Sequence, residues 1–146
     1  MSSWFQASGI RVRHCKTSLA SNPSLAGIKH LNRLEQVLAR AEWNDPDIHE
    51  GFMLDRDGKV VEGTMSNLFV VRRRSLITPD LGQCGVEGIV RTVVLAIARE
   101  KGIEFVVKAI DVCDLERADE IFVTNSIIGI WPVIGFEGVS LGIGQI

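Results

Sequence analysis

Lys29 and Glu62 are the residues of this 146-residue sequence whose types and settings point most directly to chemistry. A lysine amine is a nucleophile toward carbonyl carbons and a base toward acidic C–H bonds. Lys29 stands where a stretch rich in Ser, Asn, Pro and Gly, from Thr17 to Gly27, delivers the chain to a helical pattern. Glu62 opens the run Glu62-Gly63-Thr64-Met65-Ser66-Asn67-Leu68-Phe69, an acid ahead of a small-residue turn and a buried strand. A charge in that place is costly without a partner, and a cation would supply one. Two loops of small or polar residues, Gly85-Val86-Glu87-Gly88 and Thr124-Asn125-Ser126, complete the set. Each feature also has a plainer reading. Lys29 suits a solvated surface, Glu62 a turn cap or the partner of a nearby arginine, and Ser126 an ordinary turn. Ile89 and Val90 suit the first turn of a buried helix.

Several chemistries are excluded by what the sequence lacks. It has no Gly-x-Gly-x-x-Gly after a strand, no phosphate loop ending in Gly-Lys-Ser/Thr and no Gly-x-Ser-x-Gly elbow. Gly142-Ile143-Gly144 has neither the strand nor the helix a nucleotide fingerprint needs. Cys15, Cys84 and Cys113 are scattered and odd in number, which suits reduced thiols. Cys84 has no histidine placed to activate it and reads as a packing thiol. His14, His30 and His49 show no zinc-binding spacing, so no metal site is expected. A net charge of -2 with both signs intermixed gives no footprint for nucleic acid or an anionic membrane. Arg72-Arg73-Arg74 reads as a solvated hairpin end. The Met1–Ser8 stretch has neither the basic nor the apolar segment of a secretory leader, and no apolar run reaches membrane length.

The elements that must position these residues follow from periodicity. Ile10–Cys15 alternates as a half-buried strand. From His30 to Trp43 the residues Leu31, Leu34, Leu38 and Ala41 recur at helical spacing, which predicts an amphipathic helix with Lys29 at its entry. Glu50–Leu54 and Lys59–Val61 flank Asp55-Arg56-Asp57-Gly58 as a hairpin. Asn67–Val71 and Leu76–Thr78 form a second strand pair. Ile89–Glu100 predicts a mostly apolar helix stopped at Lys101-Gly102. Strands at Glu104–Val107, Glu120–Thr124 and Val133–Phe136, with a helical turn near Asp114–Arg117, complete one mixed α/β unit over residues 1–146. Trp131-Pro132 reads as structural.

Four blocks in order resemble the class IV family of pyridoxal-phosphate enzymes. They are Gly27-Ile28-Lys29-His30-Leu31-Asn32-Arg33-Leu34-Glu35, Val61 to Phe69, Gly88-Ile89-Val90-Arg91, and Ala118-Asp119-Glu120 with Thr124-Asn125-Ser126. The first is most similar to the aminodeoxychorismate lyase branch. Asn32-Arg33 stands where related aminotransferases often carry Asn-Tyr, and the sequence has no tyrosine.

The resemblance implies an α+β fold, the large C-terminal domain of the D-amino acid aminotransferase-like type, with strands curled into a pseudo-barrel and flanking helices. It implies pyridoxal 5'-phosphate as cofactor and Lys29 as the Schiff-base lysine and proton carrier. Glu62 would face the pyridine nitrogen, and Met65 and Ser66 would lie along the ring. The N–H groups of Ile89 and Val90, with the Ser126 hydroxyl, would bind the phosphate. The implied reaction is a lyase step from 4-amino-4-deoxychorismate to 4-aminobenzoate and pyruvate toward folate, in a cytoplasmic homodimer. Alternatives are transamination of branched-chain or D-amino acids, and a non-catalytic binding or oligomerisation domain. The family's smaller N-terminal domain has no counterpart here, so a piece of a longer protein is expected.

Overall fold

The computed structural model describes residues 8–144. The N-terminal stretch read above for a leader lies outside them, apart from Ser8. In chain order the elements are β1 (Ile10–His14), α1 (Leu34–Arg40), β2 (Ile48–Leu54), β3 (Val60–Gly63), β4 (Asn67–Arg72), β5 (Ser75–Thr78), α2 (Ile89–Glu100), β6 (Phe105–Val107), α3 (Val112–Glu116), β7 (Glu120–Asn125), β8 (Gly129–Phe136) and β9 (Val139–Ser140).

Among the described residues the strands form one nine-stranded mixed sheet in the order β3-β2-β1-β8-β7-β4-β5-β6, with β9 beside β8. Its two ends approach each other: the Val60 N–H in β3 donates to the Ile110 carbonyl beyond β6 at 2.8 Å. The sheet is therefore curled into a half-barrel. Because side chains alternate along a strand, a curled sheet buries both faces, and the central strands read as continuous apolar runs. Phe52, Val60, Leu68 and Val70 join Ile10, Val12, Ile121, Val123, Trp131 and Phe136 in one core. Their neighbours Met53 and Val61 pack with Cys15, Leu19, Ala39, Trp43, Leu81 and Cys84 in a second. Phe69 and Val71 meet Leu76, Ala98 and Phe122 in a third.

The first helix departs from expectation. It spans Leu34–Arg40, not His30–Trp43, so Lys29 lies in irregular chain ahead of it. The apolar stripe also faces outward, with Leu31, Leu34, Val37 and Leu38 exposed and Gln36 and Ala39 buried. The acidic residues explain the orientation. Glu42 accepts the N–H groups of Lys16 and Thr17 at 2.7 Å each, and Glu35 accepts that of Ala20 at 3.1 Å. Satisfying the loop's backbone turns the leucines away from the sheet.

The second helix has the expected bounds, but Ile89, Val93 and Ile97 are exposed and its buried residues are Arg91 and Ala98. The last long strand begins at Gly129, earlier than Val133, so Trp131 is a buried strand residue. The short β9 had no sequence signal.

Candidate active site

At one mouth of the curled sheet, the end of β3, the start of β4, the end of β7 and the N-terminus of α2 surround a cleft of about 430 Å³. Lys29, Glu62, Met65, Ser66, Ile89, Val90 and Ser126 all line it. These positions span almost a hundred residues of sequence, and tertiary structure brings the whole set to one hollow.

Glu62 reaches the cleft through strand pairing, with Met53 opposite Glu62 and Phe52 opposite Gly63 in the β2–β3 ladder. The carboxyl is buried, and its Oε2 accepts the Val86 N–H at 2.8 Å. Among the described residues its Oε1 has no hydrogen-bond partner, and the nearest cation is the Arg33 guanidinium, with Nη2 3.8 Å away. Burial pushes the Glu62 carboxyl up to about 7, opposed by the Val86 N–H and the positive charges of Arg33 and Lys29, and aided by the negative charge of Glu50.

Lys29 is exposed, and it is brought to the cleft by a short parallel bridge. Gly27 donates to the Gly85 carbonyl and accepts from the Glu87 N–H, each at 2.9 Å. The bridge places the lysine segment beside Val86, the residue that holds Glu62. Gly85 has φ +89°, and a Cβ there would come within 2.9 Å of Val61. Positive φ and close approach together require glycine.

The turn from Gly63 to Ser66 is built around a residue not singled out from sequence, Glu50. Its buried carboxylate accepts from the N–H groups of Gly51 (2.8 Å), Thr64 (3.0 Å) and Met65 (3.3 Å), and from the hydroxyls of Thr64 (2.6 Å) and Ser66 (2.7 Å). The Ser66 hydroxyl proton is thus committed to Glu50, while Met65 is exposed at the rim. A Cβ on Gly63 would strike Ser66 and lie 2.8 Å from the Glu50 carboxylate. The available signal for Glu50 was an acid at the head of an apolar strand, a costly place for a charge without partners.

Across the cleft, Ile89 and Val90 begin a twelve-residue helix whose N-cap, Gly88, has no side-chain cap. The first N–H groups of such a helix have no intrahelical partner and carry partial positive charge. Buried Arg91 anchors this end, donating to Thr78 Oγ1 at 3.3 Å and the Pro79 carbonyl at 3.0 Å. The Asn67 amide donates to the Val86 carbonyl at 2.7 Å and packs against Gly88. Exposed Ser126 follows Asn125, whose amide donates to the Met65 carbonyl at 3.0 Å and whose Oδ1 accepts the Ile127 and Ile128 N–H groups. In the same wall, fully buried Thr124 presents a hydroxyl with no hydrogen-bond partner among the described residues. Cys84 packs in the second core, and burial pushes its thiol up to about 11, which fits a packing role.

The cleft offers a helix N-terminus for an anion, an open buried carboxylate oxygen for a cationic N–H, and a primary amine for a carbonyl. A phosphorylated pyridine aldehyde carries all three complements. The open Oε1 of Glu62 is the observation that fits such a ring, since among the described residues no hydrogen-bond donor reaches this buried oxygen.

Comparison with known proteins agrees with this chemistry. A family model described as amino-transferase class IV matches residues 3–136. Aminodeoxychorismate lyase of Vibrio harveyi is 39% identical over 133 residues, covering 91% of this chain and 49% of that protein. The crystal structure of 4-amino-4-deoxychorismate lyase from Pseudomonas aeruginosa superposes with a TM-score of 0.95 at 45% identity, covering 98% of this chain and 53% of that one. A T.th. branched-chain amino acid aminotransferase complexed with N-(5'-phosphopyridoxyl)-L-glutamate gives a TM-score of 0.84 at 27% identity, covering 95% of this chain and 47% of that one. The chain spans about half the length of these relatives. With nearly all of its length matched by the family model and its fold shared with these enzymes, the chain belongs to the class IV aminotransferase family.

Proposed function

We propose that this chain is the cofactor-binding part of a pyridoxal 5'-phosphate-dependent aminodeoxychorismate lyase. The observation that carries the reading is the open Oε1 of buried Glu62 in the cleft that Lys29 and the N-terminus of α2 also line. The similarity to aminodeoxychorismate lyases supports this substrate over amino acids.

When bound, the cofactor supplies an aldehyde that captures an amine and a ring that withdraws electrons from the adjacent carbon. The residues of the chain do the rest. Lys29 would hold the aldehyde and give it up to the substrate amine, would as a free amine take the proton from the amine-bearing carbon, and would reclaim the aldehyde as the product amine leaves. The Glu62 carboxylate holds a proton at the ring nitrogen, where an anion stabilises developing electron density. The Ile89 and Val90 N–H groups and the Ser126 hydroxyl bind the phosphate. Met65 and the backbone at Ser66 lie along the ring. Breaking the neighbouring C–O bond expels enolpyruvate, which takes up one proton as pyruvate, so no proton is consumed overall. The residue left behind is aromatic 4-aminobenzoate, which drives the step forward.

A smaller N-terminal domain, a homodimer and a cytoplasmic setting belong to the same proposal. Exposed Met65, Ile89 and Ile127 around the cleft, which leave room for covering chain, support the first two. The free thiols support the third. No helix among the described residues is long and apolar enough to cross a membrane.

The test is borohydride reduction of the protein incubated with pyridoxal 5'-phosphate, followed by peptide mapping. The expected label is on Lys29, and a label confined to other lysines would overturn the reading. Release of pyruvate from 4-amino-4-deoxychorismate without any 2-oxo acid distinguishes the lyase from a transaminase, which turns over only with such an acceptor.

A further inference from the structure

Arg33 lies between two hollows. It lines the cleft of about 430 Å³ and also a smaller cavity of about 110 Å³, among Leu19, His30, Gln36 and Cys84. Its guanidinium is the cation nearest the open oxygen of Glu62, at 3.8 Å, while the other oxygen is tied to Val86 at 2.8 Å. The long distance matters. At 3.8 Å there is attraction but no hydrogen bond, so the oxygen keeps its accepting capacity and the contact is cheap to leave.

We propose that Arg33 is a positioning residue that covers the open oxygen of Glu62 while the cleft is empty and yields it to a cationic ring nitrogen when one enters. The proposal rests on the cofactor reading above.

The other groups facing Glu62 leave this task to Arg33. Lys29 is attractive, but its charge is altered once its amine bonds an aldehyde, whereas a guanidinium keeps its charge throughout. Glu50 repels Glu62 and holds its turn with the same carboxylate. Cys84 and Glu62 interact unfavourably when both are ionised. Glu87, on the far wall, is paired with Arg91 at 3.7 Å. Burial already raises the Glu62 carboxyl to about 7. Arg33 opposes that rise, so losing its charge would favour the protonated form, which presents no carboxylate to the entering ring.

The experiment follows the Glu62 carboxyl directly, by carbon NMR of the full chain with labelled glutamate, assigned with Glu62→Gln. In the cofactor-free protein, Arg33→Met is expected to raise the Glu62 midpoint by about one unit, a tenfold change in its acidity. Arg33→Lys, which keeps the charge, is expected to recover most of that shift. Arg33→Gln serves the same comparison if the Met variant is insoluble. A midpoint that does not rise when the charge is removed, or that rises as far with lysine, overturns the proposal. With pyridoxal 5'-phosphate bound, native and variant midpoints are expected to converge, and an undiminished difference would overturn the stand-in role. Failure of the cofactor to attach at all refutes the proposed function instead, and the cofactor-free titration reports that case separately.

Discussion

Val86 joins the two candidate chemical groups: its N–H holds Glu62 Oε2 at 2.8 Å, and it bridges Gly27, close before Lys29 in sequence. The acid and the amine are thus referenced to one backbone unit, although they lie on separate segments.

Replacing Lys29 with alanine should leave the fold intact, because the side chain is exposed. Stability should change by no more than about 0.5 kcal/mol. The proposed lyase activity should fall on the order of 10³-fold, with loss of borohydride-fixed cofactor. Unfolding curves and peptide mapping report the two effects separately.

Stability of the cofactor-free protein should depend on pH through Glu62. Its carboxyl is raised from 4.5 to about 7 by burial, so the fold favours the protonated form. The stabilisation is fully present below about pH 4.5, declines as pH rises, and is lost above about pH 7, an effect on the order of 3 kcal/mol. Glu62→Gln keeps an acceptor for the Val86 N–H and should flatten this dependence. Urea midpoints at mildly acidic and mildly alkaline pH measure it.

Glu50→Ala removes the acceptor for five donors of the Gly51–Ser66 region. Destabilisation on the order of 4 kcal/mol is expected, with weaker cofactor binding because the turn carrying Met65 and Ser66 loosens. Glu50→Gln, which retains one acceptor oxygen, should fall between. Denaturant midpoints and cofactor titrations check both.

The β4–β5 hairpin turns through Arg73 and Arg74, both at positive φ, 51° and 67°. Residues with a Cβ are strained there, and Asn-Gly fits the same turn. The double change Arg73→Asn with Arg74→Gly should stabilise the protein by about 1 kcal/mol without affecting activity. The Arg73 N–H bond to Asp119 uses only backbone on the turn side and survives the change. A lower melting temperature would count against the assignment of strain.

The local features were legible because they depend on short-range sequence. Alternation marked β1, the Asp55–Gly58 turn marked the β2–β3 hairpin, and Lys101-Gly102 marked the end of α2. The order of the four blocks also marked Lys29, Glu62, Ile89, Val90 and Ser126 before any fold was known. What only the tertiary structure decided was which groups meet. Periodicity states that α1 has an apolar stripe but not which way it faces, and hydrogen bonds from the loop at Lys16–Ala20 to Glu35 and Glu42 settled that. Glu50 looked like one more strand residue until the pairing of β2 with β3 brought the Gly63–Ser66 turn over its carboxylate. Arg33 had no role in the sequence beyond replacing a tyrosine of related aminotransferases until Glu62 came to lie beside it. Periodicity is a property of neighbours in sequence, whereas burial and charge pairing are set by chain that arrives from far away.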